Sequence, residues 1–169
     1  MAKKVLIVDT SILCVWLKIP GREVIKKKDK PAIKARIKEE VANNTHIVLP
    51  FASIIECGNH ITQIKRKDSQ KYVNQFAEFI EKAIDGKEPW DIFTNQSVLF
   101  TKERLKEMVC DWKQLSVTGL SMGDVSIKQV ASHYDSMGYT AEIFTSDEGL
   151  KAYQPSPKPN LLTRNHNRR

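Results

Sequence analysis

Hydrophobic positions follow two patterns along this chain. Val5-Leu6-Ile7-Val8 is an unbroken apolar run of strand length that stops on Asp9, and such a run without polar alternation predicts a strand buried on both faces of a parallel sheet. His46 to Leu49 and Ala141 to Thr145 are two further segments of strand length. Elsewhere apolar residues recur every three or four positions, the spacing of one helix face. Ile33, Ile37 and Val41 mark a helix over 31–43, and Phe51, Ile54, Ile55, Cys57 and Ile61 mark one over 51–64. Tyr72, Phe76, Phe79, Ile80 and Ala83 mark a third over 68–85. Thr101 caps a fourth that runs to Leu115 and carries Leu105, Met108, Val109 and Trp112. Val125, Ile127, Val130, Ala131 and Tyr134 turn inward on a fifth, which Ser121 opens and Gly138 ends. Short helices are expected at 10–17 and 148–153, while 87–100, with Trp90 and Phe93, reads as irregular. Strands alternating with helices predict an α/β fold: a central parallel sheet with helices on both sides.

Composition narrows this picture. A chain of 169 residues, 41% hydrophobic, has material for one sizeable core. One domain is therefore expected over 1–154, followed by a tail over 155–169 that Pro155, Pro157 and Pro159 break up. No apolar run approaches the length of a membrane span, and the run after Met1-Ala2-Lys3-Lys4 is too short for a signal peptide, so a cytoplasmic protein without a membrane partner is expected. Cys14, Cys57 and Cys110 form neither a disulfide framework nor a zinc spacing and are expected to be reduced, buried thiols.

The formal charge of +7 favours a polyanionic partner. Lys18, Arg22, Lys26, Lys27, Lys28, Lys30, Lys34, Arg36 and Lys38 crowd one segment, and Lys158, Arg164, Arg168 and Arg169 lie in the tail. Lys26, Lys27 and Lys28 are the expected path for a nucleic-acid backbone; the plainer reading of the same charge is a solvated helix face.

Four carboxylates carry the chemistry. Asp9 and Asp147 follow strands, Asp124 stands in the first turn of a helix, and Glu56 sits inside an apolar helix. A parallel α/β sheet can bring such positions to one edge. Each of the three aspartates also suits a helix cap, Asp124 through a capping box with Ser121. Glu56 suits none, and a carboxylate among apolar neighbours needs a partner. Convergent carboxylates suit Mg²⁺ or Mn²⁺.

In order and context these segments resemble the PIN domain family, which contains metal-dependent nucleases. Val8-Asp9-Thr10-Ser11-Ile12-Leu13 resembles its first-strand motif, Ser53-Ile54-Ile55-Glu56 its helix glutamate, Gly123-Asp124 its third acid and Phe144-Thr145-Ser146-Asp147 its last. The resemblance implies a three-layer α/β/α fold, with a helical insert at about 65–118 that small toxin-type members lack. It also implies endonucleolytic cleavage of single-stranded RNA or exposed RNA loops. Asp9, Glu56, Asp124 and Asp147 become the catalytic metal ligands, for Mg²⁺ or Mn²⁺, with Thr10, Ser11, Thr145 and Ser146 as supporting hydroxyls. His60 and Glu148 are better read as ordinary helix residues than as members of the site.

Small members of the family include toxins of toxin–antitoxin pairs, so an antitoxin or other protein partner, or a homodimer, is expected to use the insert or the tail. Exposed Trp90 and Phe93 would alternatively stack on single-stranded bases. The competing reading is a catalytically idle RNA-binding or assembly module of the same fold.

Overall fold

A computed structural model describes residues 3–20, 25–92 and 96–156, leaving aside the side chain of Arg66. Its elements follow the order β1 (Lys4–Val8), α1 (Thr10–Trp16), α2 (Lys30–Ala42), β2 (His46–Val48), α3 (Phe51–Thr62), α4 (Arg66–Ile84), β3 (Trp90–Asp91), α5 (Lys102–Leu115), α6 (Met122–Ser136), β4 (Thr140–Phe144) and α7 (Glu148–Lys151). The four strands form one parallel sheet in the order β3-β2-β1-β4.

Val5, Leu6, Ile7 and Val8 are all fully buried because β1 lies inside this sheet with helices on both sides. Side chains alternate across a strand, and the core divides accordingly. Leu6 and Val8 join Ile47 and Leu49 under Ile12 and Leu13 of α1, Ile37 of α2, Cys57 and Ile61 of α3 and Phe79 of α4. Val5 and Ile7 join Val48, Ala141 and Ile143 under Ile127, Val130, Ala131 and Tyr134 of α6. The result is a three-layer α/β/α sandwich around a parallel sheet. The five inward residues expected on α6 are all buried. Segment 65–118 is distributed through this architecture: α4 packs on α3, β3 extends the sheet beside β2, and α5 packs on α6.

Three expectations change. The stretch 87–100 contains a strand, since Ile47 and Val48 pair with Trp90 and Asp91. Trp90 is only 2% exposed, with its ring 5.8 Å from that of Trp16 and 5.5 Å from that of Phe79. It is a core anchor and offers no stacking surface; Phe93 lies outside the described residues. Cys110 is exposed and Cys14 half-buried, so only Cys57 is a fully buried thiol. None of the described helices is long and apolar enough to cross a membrane.

Where β1 and β4 begin, a charge network ties α2 to the sheet. Glu40 accepts bonds from Lys4 and, at 2.6 Å, from the Thr45 hydroxyl. Glu142 accepts from Arg36 at 2.5 Å and pairs with Lys4 at 3.1 Å. Burial opposes the Glu40 carboxylate, but the Lys4 and Thr45 bonds and the charges of Lys4 and Arg36 outweigh it and hold its pKa below the ordinary value. A depressed carboxylate stabilises the fold above its unfolded pKa and loses that contribution as pH falls through the folded one. Glu40→Gln is expected to cost about 1–3 kcal/mol at neutral pH. The gap to wild type, read by urea unfolding, should narrow as pH drops below 4.5; a gap constant with pH would remove the network from the account.

Candidate active site

In open parallel sheets ligands bind beyond the carboxyl ends of the strands, at the point where the winding direction reverses. This chain winds from β1 to β2 and β3 and then returns to the far side of β1 for β4, which puts the reversal between β1 and β4. Asp9 follows the first and Asp147 comes three residues after the second. The Asp9 backbone N–H donates to the Phe144 carbonyl at 3.1 Å. Its Oδ2 accepts from the Ser11 and Thr145 hydroxyls, each at 2.8 Å, and its Oδ1 from the Thr10 N–H at 2.7 Å. The four hydroxyl residues differ in their duties. Thr10 serves Glu56, Ser11 and Thr145 serve Asp9, and the Ser146 N–H donates to Ser11 Oγ at 3.4 Å.

Glu56 projects from the middle of α3, and the partner it requires is Thr10, whose hydroxyl donates to Oε2 at 2.8 Å. Oε1 rests on the backbone of Gly123, where a Cβ would stand only 2.1 Å from it. Glycine at 123 is thus the space that Glu56 fills. The neighbouring Asp124 completes the capping box of α6: its Oδ2 accepts from the Ser121 N–H at 2.8 Å and the Ser121 hydroxyl at 2.7 Å. Asp147 caps α7, its Oδ1 accepting from the Gly149 and Leu150 N–H groups at 2.7 and 3.2 Å.

All four acids line one cavity of about 670 Å³. On the same walls stand Lys18, Lys30 and Lys34, which are the lysines the cavity selects from the basic segment. Lys26, Lys27 and Lys28 are exposed in the turn before α2. Lys18 has φ 57°, in the left-handed region that seldom suits a side chain larger than asparagine; this turn follows α1 and sets Lys18 beside the two α2 lysines. Burial and then the charges of Lys18, Lys30 and Lys38 lower the Lys34 pKa. His60 and Cys14 also reach the cavity, while Glu148 is exposed and pairs with Lys151 at 3.3 Å. Cys14 touches the buried Cys57, Sγ to Sγ, at 3.8 Å. That contact lowers the Cys14 thiol against burial and the charges of Asp9 and Glu56, and together with burial it raises that of Cys57.

A second cavity, about 300 Å³ and mostly apolar, shares Glu56 with the first and is also lined by Gly123. Phe51 and Phe100 flank it, 41% and 52% exposed, with rings 5.9 Å apart edge to face. Leu105 and Met108 of α5 line it too, and no residue of the expected apolar face of α5 is buried. Sequence reasoning passed over Phe51, Phe100 and the steric role of Gly123; their signal lies in three dimensions.

The four acids share walls without gathering around one point: among the described residues no three Asp, Glu, His or Cys side chains form a metal-ligand group. Oδ1 of Asp124 and Oδ2 of Asp147 take no part in the capping bonds, and Glu56 Oε1 faces only the glycine cradle. An all-oxygen set spread in this way suits a hard cation such as Mg²⁺, which keeps several waters and takes only one or two carboxylates directly. No family model and no characterised protein matches this chain.

Gly123→Ala tests the cradle. Because the obstructing atom is the end of a flexible side chain, the fold should survive, with Tm within a few degrees of wild type, while Glu56 leaves Thr10. A crystal structure of the variant with the Thr10–Glu56 bond intact would refute the cradle.

Proposed function

We propose that this protein is a Mg²⁺- or Mn²⁺-dependent endoribonuclease of the PIN type that hydrolyses phosphodiester bonds in single-stranded RNA. One observation carries the reading: acids from four separate segments line a single cavity at the switch point of the sheet, and Glu56 among them has no capping duty. Asp9, Glu56, Asp124 and Asp147 would hold the cation. A bound divalent cation of this kind would supply Lewis acidity toward a phosphoryl oxygen and would make a coordinated water more acidic.

The residues themselves divide the remaining work. Ser11, Thr145 and the Thr10 N–H fix the Asp9 carboxylate, and Thr10 together with Gly123 fixes Glu56, so that both acids meet the substrate already oriented. Lys18, Lys30 and Lys34, which line the same cavity, offer positive charge to the phosphates. Beside Glu56, the exposed rings of Phe51 and Phe100 give unpaired bases an apolar surface to stack on. A duplex, whose bases are already stacked, gains nothing from it.

Asp9→Asn separates chemistry from folding. Asparagine caps a helix as well as aspartate does, and the Ser11 and Thr145 hydroxyls can turn to accept from its amide. Cleavage of a labelled single-stranded RNA in Mn²⁺ is expected to fall at least a hundredfold with Tm nearly unchanged; equal turnover by both proteins overturns the assignment. RNA binding by wild type without turnover in Mn²⁺ would instead identify a catalytically idle RNA-binding module. Charge is tested separately. Replacing Lys18, Lys30 and Lys34 by Ala should reduce the dependence of log affinity on log salt by about 2, given roughly 0.7 for each phosphate contact on a single strand. Replacing Lys26, Lys27 and Lys28 should leave it nearly unchanged, and the opposite result moves the RNA path to that turn.

A further inference from the structure

Two contacts join the same pair of helices. Thr10 and Cys14 lie four residues apart, on one face of α1, and Glu56 and Cys57 are neighbours on α3. Thr10 donates to Glu56 at 2.8 Å, and Cys14 meets Cys57 with 3.8 Å between sulfurs. The first contact thus holds the helices in register at the second. Cys14 lines the acid cavity and can be reached through it, while Cys57 lies behind it with no exposed surface. Cys110, on α5, is exposed.

We infer that Cys14 and Cys57 form an oxidation site, closing a reversible intramolecular disulfide that staples α1 to α3 behind the acid-lined cavity. The oxidant is a low-molecular-weight disulfide of the glutathione class. Cys14 as thiolate attacks one sulfur of the oxidant, forming a mixed disulfide and expelling one thiolate. Cys57 then loses its proton and attacks the Cys14 sulfur, forming the protein Sγ–Sγ bond and expelling the second thiol. Two protein thiols are oxidised and one small disulfide is reduced to two thiols, so atoms and electrons balance. A protein disulfide is about 2.0 Å long. The sulfurs therefore have under 2 Å to close, a distance within reach of small side-chain rotations and a slight approach of the helices. The order of attack follows from access, since an oxidant entering the cavity meets Cys14 first. The inference is independent of the nuclease reading, because it concerns two thiols and a helix pair.

The test uses the full-length chain carrying Cys110→Ser, which removes the exposed thiol, after complete reduction and equilibration with oxidised glutathione. Acid quenching, denaturation and labelling with a maleimide should find reactive thiols falling from two to none. The intact mass should drop by two hydrogens with no glutathione retained, a peptide linking Cys14 to Cys57 should appear in the digest, and dithiothreitol should restore both thiols. Adding Cys57→Ser to this chain should stop the reaction at a glutathione adduct on Cys14. Two thiols still reactive after equilibration, or stable glutathione adducts on the chain that retains both cysteines, overturns the inference.

Discussion

The Asp9 carboxylate is the interaction on which the rest of this edge depends. It accepts bonds from Thr10 and Ser11 at the start of α1 and from Thr145 at the end of β4, so one side chain ties two strands and a helix across the reversal of the sheet. The Thr145 hydroxyl in turn accepts the Asp147 N–H at 3.0 Å. Through that chain the position of Asp147, and with it the start of α7, is referred back to Asp9. The oxygens that take these bonds would also face a bound cation, so the side chain that organises this edge belongs to the proposed site.

The two cavities make one asymmetric surface. Lysines and acids share the walls of the first, and apolar side chains with two phenylalanine rings line the second. Glu56 lines both and lies where they meet. On the proposed reading, a flexible polyanion with exposed bases would match this asymmetry, with charge along one side and π-faces along the other. The same apolar groove accounts for the exposure of Phe51 and Ile55 on α3, both of which line it.

Much of this architecture was legible because its elements are set by burial. β1 carries a continuous apolar run, β4 buries Ala141, Ile143 and Phe144 around a half-buried Glu142, and α6 carries five inward residues at helical spacing. Gly138 at φ 93° and Asn44 at φ 54° stand where the helices they follow stop. β3 was not legible: it is two residues long, follows Pro89, and exists through pairing with β2. No local pattern encodes a partner. The lysine wall was hidden for a related reason. Lys30 and Lys34 share a helix face by spacing, but Lys18 joins them through a left-handed turn that asparagine or glycine would have announced and lysine does not. All four acids were legible as positions in the chain. Which oxygen serves a cap and which faces the cavity belongs to geometry alone.

That division of oxygens bears on how sequences of this kind are compared. Asp9, Asp124 and Asp147 each cap a helix, so selection for folding alone would keep them in a lineage that had given up chemistry. Glu56 is different: it caps nothing and occupies a space made by the absence of a side chain at Gly123. On the proposed reading, the pairing of Glu56 with Gly123, read together across relatives, would therefore be a mark of selection on activity that the three aspartates do not provide.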